Sequence, residues 1–212
     1  MKNKSAFCFS LCMLAAFSLW TAVVQVVDVQ PIGPLESAVG FATMNQHVHN
    51  LTGVHMGLYR LTDWLSLVPL AFIMGFALLG LTQWIQRKHL AKVDYSILML
   101  GVFYCIVMAV YVFFEMFVIN YRPVLIEGTL EASYPSSTTM LVLCVMPTAI
   151  MQCNIRIKNT TVKKCIVSAI TVFTVFMVFA RLVSGVHWFS DIIGGAFLSA
   201  GLVGMYYAAI GR

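Results

Sequence analysis

Charged residues are scarce in this 212-residue chain, which has 13 lysines and arginines and 8 aspartates and glutamates. They make up only 10% of the sequence, whereas 60% of the residues are hydrophobic and the mean hydropathy is +0.89. An average soluble domain carries about 25% charged residues. This composition excludes a soluble globular domain and predicts an integral membrane protein.

Cysteine patterns that indicate disulfides, metal clusters or redox chemistry are also lacking. No Cys-x-x-Cys pair occurs, and the six cysteines lie in apolar runs or at their basic ends. Such cysteines are typical of small buried apolar positions. We find no internal repeat, low-complexity segment or second composition class, so we predict a single domain over residues 1–212.

Long apolar runs are what the sequence does contain. Five of them reach the roughly 20 residues that a helix needs to cross a bilayer, and a sixth is shorter. The predicted spans are Ala6–Val29, Trp64–Ile85, Tyr95–Ile119, Ser136–Cys153, Cys165–Val183 and Trp188–Ile210. The first run exceeds the apolar core of a signal peptide and lacks a cleavage site, so it should remain as an anchor. We therefore predict an all-α polytopic bundle of six transmembrane helices.

The basic residues give the orientation. Ten of the thirteen fall on one side of a six-span chain, and cytoplasmic loops are the ones enriched in lysine and arginine. Both termini are then expected to be cytoplasmic. The expected location of the protein is the plasma membrane of a bacterium. The net charge of +5 reflects this topology, so no nucleic-acid partner is expected. The ten residues are Lys2, Lys4, Arg87, Lys88, Lys92, Arg156, Lys158, Lys163, Lys164 and Arg212.

The first outer connection, from Gln30 to Asp63, contains three histidines. His47, His49 and His55 could suggest zinc, but no cysteine or suitable carboxylate nearby completes a ligand set. Residues 35–51 instead mix apolar and polar positions like a helix at the membrane interface. We predict an amphipathic lid there and no metal site.

Three ionisable residues interrupt the last two apolar runs. A charge within a span costs several kcal/mol unless it is paired or faces a polar cavity, so Arg181, His187 and Asp191 are functional candidates. His187 and Asp191 are four residues apart, which on one helical face lets the carboxylate hold one ring nitrogen and leaves the other free to attack. Arg181 adds a planar cation suited to phosphate. The alternative is a salt-bridged helix end.

Two further elements should reach the same outer side. Pro123 ends the third span at or before Arg122, and Glu115 is seven residues earlier, on the same helical face and about 10 Å deeper. Pro135 and three hydroxyl residues, Ser136, Ser137 and Thr138, open the fourth span. Free backbone N–H groups at such a helix start can cradle a phosphate, although plain N-capping by Ser136 is the alternative.

Together these elements resemble the type 2 phosphatidic acid phosphatase family, which includes lipid phosphate phosphatases and haloperoxidases. The family pattern is Lys-x6-Arg-Pro, Pro-Ser-Gly-His and Ser-Arg-x5-His-x3-Asp on a six-span core. The matching residues here are Arg122-Pro123, Pro135-Ser136, and Arg181, His187 and Asp191. The resemblance covers the chain in motif order, topology and side of the membrane, and implies an active site at the outer face.

The resemblance implies a phosphohistidine mechanism. His187 is then the nucleophile on phosphorus and Asp191 its orienting partner. Arg122 and Arg181 form the clamp on the phosphoryl oxygens. No cofactor or metal is implied, and the substrate is a membrane lipid phosphate; the resemblance does not indicate an oligomeric state.

Ser136 and the backbone amides of Ser137 and Thr138 complete the implied anion site. Here, however, the sequence departs from the family pattern. Thr138 replaces the histidine that protonates the leaving group, and loss of a general acid typically costs about 10²- to 10⁴-fold. Glu115 replaces the family lysine and is a modulator of the site's charge, and Ala180 replaces a serine. With histidine left out, the motif residues Glu115, Arg122, Arg181 and Asp191 have charges that sum to zero, whereas the family pattern sums to +2.

Three interpretations are compatible with these departures. The first is hydrolysis of a lipid phosphate, in particular a polyprenyl diphosphate, whose leaving phosphate needs no acid. The second is a lipid phosphotransferase or diesterase, because a monoanionic diester suits a less positive site. The third is a non-catalytic lipid-phosphate binder or transporter. The retained His187 and Asp191 favour catalysis, and we predict hydrolysis.

Overall fold

A computed structural model describes residues 2–211 as an all-α chain. Its helices are α1 Lys2–Val24, α2 Ala42–Thr52, α3 Met56–Leu65, α4 Leu67–Arg87, α5 Tyr95–Met116, α6 Ser137–Arg156, α7 Thr160–Val183 and α8 Phe189–Ile210. Six segments within this part of the chain are long and apolar enough to span a membrane, as the sequence predicted. Arg212, which the orientation prediction counts as cytoplasmic, lies outside the described residues.

The helix bounds differ from the predicted spans by a few residues at both ends of the bundle. Helix α1 ends at Val24 and α5 at Met116, each a few residues earlier than predicted. The second span is built from two helices that meet near Ser66 and together cover Met56–Arg87. At the ends of α1 and α5, apolar residues continue past the helix, so hydropathy alone could not locate these two boundaries.

Helix α8 lies at the centre of the bundle and packs against α1, α5 and α6. Small residues on α8 allow this close approach. A Cβ added at Gly201 would lie 2.7 Å from Leu14, and one added at Gly204 would lie 2.3 Å from the Ser10 Oγ. Close packing through small residues is a common way for membrane helices to associate. Substitution at Gly201 would push α1 away from α8, whereas substitution at Gly204 would first displace the Ser10 hydroxyl.

Polar residues form a layer at the end of the bundle predicted to be cytoplasmic. Asp94 accepts hydrogen bonds from Arg87 at 2.9 Å, Gln83 at 2.8 Å and Arg156 at 3.0 Å. The hydrogen bond from Arg87 and then that from Gln83 lower the pKa of Asp94 to about 2. This network fastens the loop between α4 and α5 to α6.

The outer connection folds back over the start of α8. The predicted interfacial helix over residues 35–51 is confined to α2, preceded by a 3₁₀ turn at Pro34–Glu36. The buried Asn45 amide donates to the Gly40 carbonyl at 2.7 Å, and its oxygen accepts from the Ser190 N–H at 3.0 Å. These bonds hold α2 directly above the residues that carry the predicted site.

Candidate active site

The turn between α7 and α8 carries the predicted nucleophile. Helix α7 ends at Val183, and His187 follows in non-helical backbone before Trp188, the N-cap of α8. Asp191 lies in the first turn of α8. The Trp188 indole N–H donates to the Tyr121 carbonyl at 2.8 Å, which fixes the turn against the loop before α6. His187 is only 3% exposed.

The hydroxyl of Ser133 lies between the His187 ring and the Asp191 carboxylate. The Ser133 Oγ lies 2.9 Å from His187 Nδ1 and donates a hydrogen bond to Asp191 Oδ2 at 2.5 Å. The prediction that Asp191 holds the ring directly from the same helical face is therefore wrong in detail. Because His187 precedes α8, the spacing of four residues does not place the two side chains on one turn of helix.

Asp191 is surrounded by further hydrogen-bond donors. The Asn120 amide donates to Oδ1 at 3.1 Å, and the Trp188 backbone N–H donates to Oδ2 at 3.0 Å. An ionised carboxylate only accepts hydrogen bonds, and several donors of this kind favour the ionised form. The arrangement offsets part of the cost of burying this charge.

Electrostatics around His187 favour a neutral ring. Burial, and then the charges of Arg181 and Arg122, hold its pKa well below the ordinary value. A neutral imidazole keeps a lone pair on one nitrogen at neutral pH. Nδ1 is engaged by Ser133, whereas Nε2 is buried and has no hydrogen-bond partner among the described residues. Nε2 is thus the nitrogen available for attack.

Arg181 is held by helix α3. Its Nη1 donates to the Thr62 Oγ1 at 3.1 Å, and its guanidinium carbon lies 4.7 Å from the centre of the Tyr59 ring. A cation over an aromatic face is stabilised by about 0.5–2 kcal/mol, more when desolvated. Arg181 is 1% exposed, and its Nε has no partner in the described part of the chain.

Arg122 approaches the same aromatic ring. Its guanidinium carbon lies 5.8 Å from the Tyr59 centre, and its Nε lies 3.1 Å from a Glu131 carboxylate oxygen. Helix α5 ends at Met116, so the prediction that Arg122 shares a helical face with Glu115 is wrong. Instead, Arg122 lies in the loop between α5 and α6 and is 8% exposed.

The start of α6 lies beneath this loop. Ser136 is the N-cap residue, but its side chain makes no capping hydrogen bond, so simple capping does not explain it. Its backbone N–H donates to the Asp191 carbonyl at 3.1 Å. Ser137 and Thr138 form the first turn of the helix, where the backbone N–H groups have no intrahelical acceptors.

Four of the predicted site residues retain a buried polar atom without a hydrogen-bond partner among residues 2–211. These atoms are Arg122 Nη1, Ser136 Oγ, Arg181 Nε and His187 Nε2. Buried polar atoms are nearly always satisfied in folded proteins, and each unsatisfied one costs about 1–3 kcal/mol. An anion with several acceptor oxygens would satisfy the three donors and bring its central atom towards the ring nitrogen.

The remaining predicted residues lie apart from this centre. Glu115 is exposed in the last turn of α5 and borders a small recess with Tyr111 and Ser133. His49 packs against the Trp188 ring at 5.5 Å, and the His55 Nε2 hydrogen bonds to the Thr52 carbonyl oxygen at 2.8 Å. Within the described residues no group of three histidine, cysteine or acidic side chains could hold a metal ion.

Sequence reasoning missed four residues that hold the site together: Tyr59, Thr62, Asn120 and Ser133. They lie 54–128 positions before His187 in the sequence, so no short motif spacing connects them to it. Asn120 alone could have been suspected, because it adjoins the Arg122-Pro123 motif. Tyr59 and Thr62 on α3, and Ser133 in the loop before α6, are brought to the site only by the folded structure.

The comparisons with known proteins agree with this architecture. The family model described as "PAP2 superfamily" matches residues 99–212, more than half of the chain. The crystal structure of a transmembrane PAP2-type phosphatidylglycerolphosphate phosphatase from Bacillus subtilis is similar, with a TM-score of 0.58 at 17% identity over 94% of each chain. No curated protein sequence matches the chain.

Proposed function

This chain belongs to the PAP2 superfamily, and from that premise we propose that it is a membrane phosphatase acting on a lipid phosphate through a covalent intermediate on His187. One observation carries the proposal. The unpartnered His187 Nε2 lies near two arginines and a helix start that all retain unpartnered donors. A binding protein would need the donors but not a neutral nucleophile oriented through a buried carboxylate.

In the first chemical step, Nε2 attacks phosphorus and the bond from phosphorus to the leaving oxygen breaks. Arg122 and Arg181 stabilise the charge on the non-reacting oxygens, together with Ser136 Oγ and the N–H groups at the start of α6. Charge that develops in the transition state is best stabilised by such preorganised donors. The product of this step is phosphohistidine and the departed leaving group.

In the second step, water attacks the phosphohistidine and restores neutral His187. Inorganic phosphate leaves with the oxygen that the water supplied. The two guanidinium groups supply positive charge of the kind that metal ions provide in other phosphatases. We therefore propose that turnover needs no divalent metal.

An apolar cleft beside the site supports a lipid substrate. The cleft has a volume of about 280 Å³, with Ser137 and Thr138 at its polar end and Leu70, Val107 and Val145 among its apolar lining. A second apolar crevice between α4 and α5, of about 450 Å³, shares Ile73 and Tyr104 with it. A phosphate at the site could thus extend its hydrocarbon chain into the membrane between these helices.

The lack of a proton donor at position 138 favours a polyprenyl diphosphate as the substrate among lipid phosphates. Thr138 occupies the position of the family's proton donor, and a threonine hydroxyl is not acidic enough for that role. A departing phosphate is stable as an anion and needs no proton, since its second pKa is near 6. The ion pair of Arg122 with Glu131 also reduces the positive charge of the site. A less positive site would suit a monoanionic diester, so phosphoryl transfer from a diester is the second candidate function.

The test is phosphate release by the purified full-length protein from phosphatidate, phosphatidylglycerol phosphate and undecaprenyl diphosphate. We expect release from the diphosphate to be fastest, to persist in EDTA, and to fall to background in His187→Ala. Wild-type turnover by His187→Ala would refute the assignment of the nucleophile. Phosphoryl transfer to an added lipid alcohol, without release to water, would instead identify a transferase.

A further inference from the structure

We propose that Ser133 is a positioning residue whose hydroxyl connects Asp191 to His187 and fixes the ring with its proton on Nδ1. The inference rests on the proposed function, because His187 is treated as the nucleophile. It assigns a role to a residue that lies outside the three sequence motifs. The relay runs from His187 Nδ1–H to Ser133 Oγ–H to Asp191 Oδ2.

The direction of the relay follows from what each group can donate. A serine hydroxyl has one hydrogen, and an ionised carboxylate only accepts. The 2.5 Å distance from Ser133 Oγ to Asp191 Oδ2 is typical of a hydroxyl that donates to a carboxylate, so the serine hydrogen is used there. The serine lone pairs then face His187 Nδ1 at 2.9 Å, which must donate its hydrogen.

The opposite arrangement would disable the nucleophile. If Ser133 donated to Nδ1, a neutral ring would carry its proton on Nε2, and the lone pair needed for attack would be lost. Asp191 would also lose its closest donor. The relay therefore selects the reactive tautomer of His187, a task that direct contact between aspartate and histidine would otherwise perform.

The surrounding backbone holds the hydroxyl in place. The Ser133 N–H donates to the Asn120 carbonyl at 2.9 Å, while the Asn120 side-chain amide donates to Asp191 Oδ1 at 3.1 Å. Ser133 and Asn120 thus grip the two oxygens of the same carboxylate. Ser133 is 2% exposed, so bulk water does not compete for these bonds.

The first measurement is kinetic. In Ser133→Ala we expect kcat to fall about 10²-fold with little change in KM, because tautomer control acts on the chemical step and not on lipid binding. Ser133→Thr keeps the hydroxyl and should recover most of the rate. Ser199→Ala is the matched control. It also removes a buried serine hydroxyl, but this one lies on α8, near the Met140 carbonyl and away from His187.

The second measurement reports the tautomer without any substrate. In ¹⁵N-histidine NMR of the purified protein, the His187 signal is identified by its absence in His187→Ala. We expect a protonated Nδ1 and an unprotonated Nε2 in the wild type, and a shift towards the Nε2–H form in Ser133→Ala. Ser199→Ala should leave the spectrum unchanged.

These readouts separate the relay from the proposed function. A wild type that releases no phosphate would contradict the proposed function, while the tautomer readout would still decide the relay. If Ser133→Ala keeps both the wild-type kcat and the Nδ1–H signal, Ser133 has no positioning role. Loss of rate with an unchanged tautomer would likewise refute it and indicate a purely structural contribution.

Discussion

Thr138 is the residue at which this chain departs most from the chemistry of its family. It is buried in the first turn of α6 and lines the apolar cleft beside the site. Of the histidines in the connection before α4, His49 packs against Trp188 and His55 is bonded to the Thr52 carbonyl oxygen. Under the proposed mechanism, a leaving group that departs from this side is one that is stable without a proton.

Restoring the family residue tests that interpretation. Thr138→His should raise hydrolysis of a lipid phosphate monoester by up to about 10²- to 10⁴-fold, because an alkoxide leaving group gains a proton donor. On undecaprenyl diphosphate the same change should give little gain. The two rates should be measured in Thr138→His alone and combined with Glu115→Lys, which restores the family residue at that position. An equal change on both substrates would disprove the leaving-group explanation.

Residues that carry charge were visible in the sequence, whereas residues that position them were not. Arg181, His187 and Asp191 stand out because ionisable groups are costly inside apolar runs. Ser133 and Tyr59 carry no such cost, since their side chains are uncharged. Their roles depend on distances across the fold, which a single sequence does not encode in any local pattern.

Helix α3 contacts the site although it carries none of the motif residues. It presents Tyr59 and Thr62 to Arg181 and is fixed in place by its N-terminal junction with α2. At this junction the His55 N–H donates to the Ser184 carbonyl at 2.9 Å. A Cβ added at Gly185 would lie 1.9 Å from the Gly53 carbonyl oxygen, so this close contact between the two turns requires glycine at position 185.

Gly185→Ala should therefore disrupt both stability and activity. Gly185 has a φ of +68°, which costs alanine about 1–2 kcal/mol, and the clash with Gly53 must also push α3 from the end of α7. We expect a loss of more than about 2 kcal/mol, seen as a lower Tm in detergent, and a reduced kcat. Gly128→Ala is the control, because its φ is +81° but no atom lies within 4 Å of the added Cβ. Equal effects of both changes would contradict the proposed docking role.

At the level of elements, the sequence predicted the spans better than the outer connection. Apolar runs predicted all six candidate membrane helices, five of them by reaching the length that a bilayer requires. The division of residues 30–66 into α2 and α3 could not be derived in the same way. Tertiary bonds such as those of Asn45 to Gly40 and Ser190 determine it.

The molecule as a whole has polar networks at both ends of an apolar bundle. One network, around Asp94, fastens α4, α5 and α6 together, while the other collects residues from α3, α6, α7, α8 and the loop before α6 around His187. Residues from 59 to 191 meet at the second network, so the site exists only in the assembled bundle. The basic residues in the sequence predict that this end faces outward, with both termini cytoplasmic.

The most direct test of the central claim is to trap the phosphorylated protein. Full-length protein in membranes would be mixed with ³²P-labelled undecaprenyl diphosphate, quenched within the first turnovers and analysed for covalent label. We predict a label on the wild-type chain that is stable to base and labile to acid, as expected of a phosphoramidate, and that is absent in His187→Ala. Label that persists in His187→Ala, or phosphate release that continues undiminished in that variant, would contradict the account.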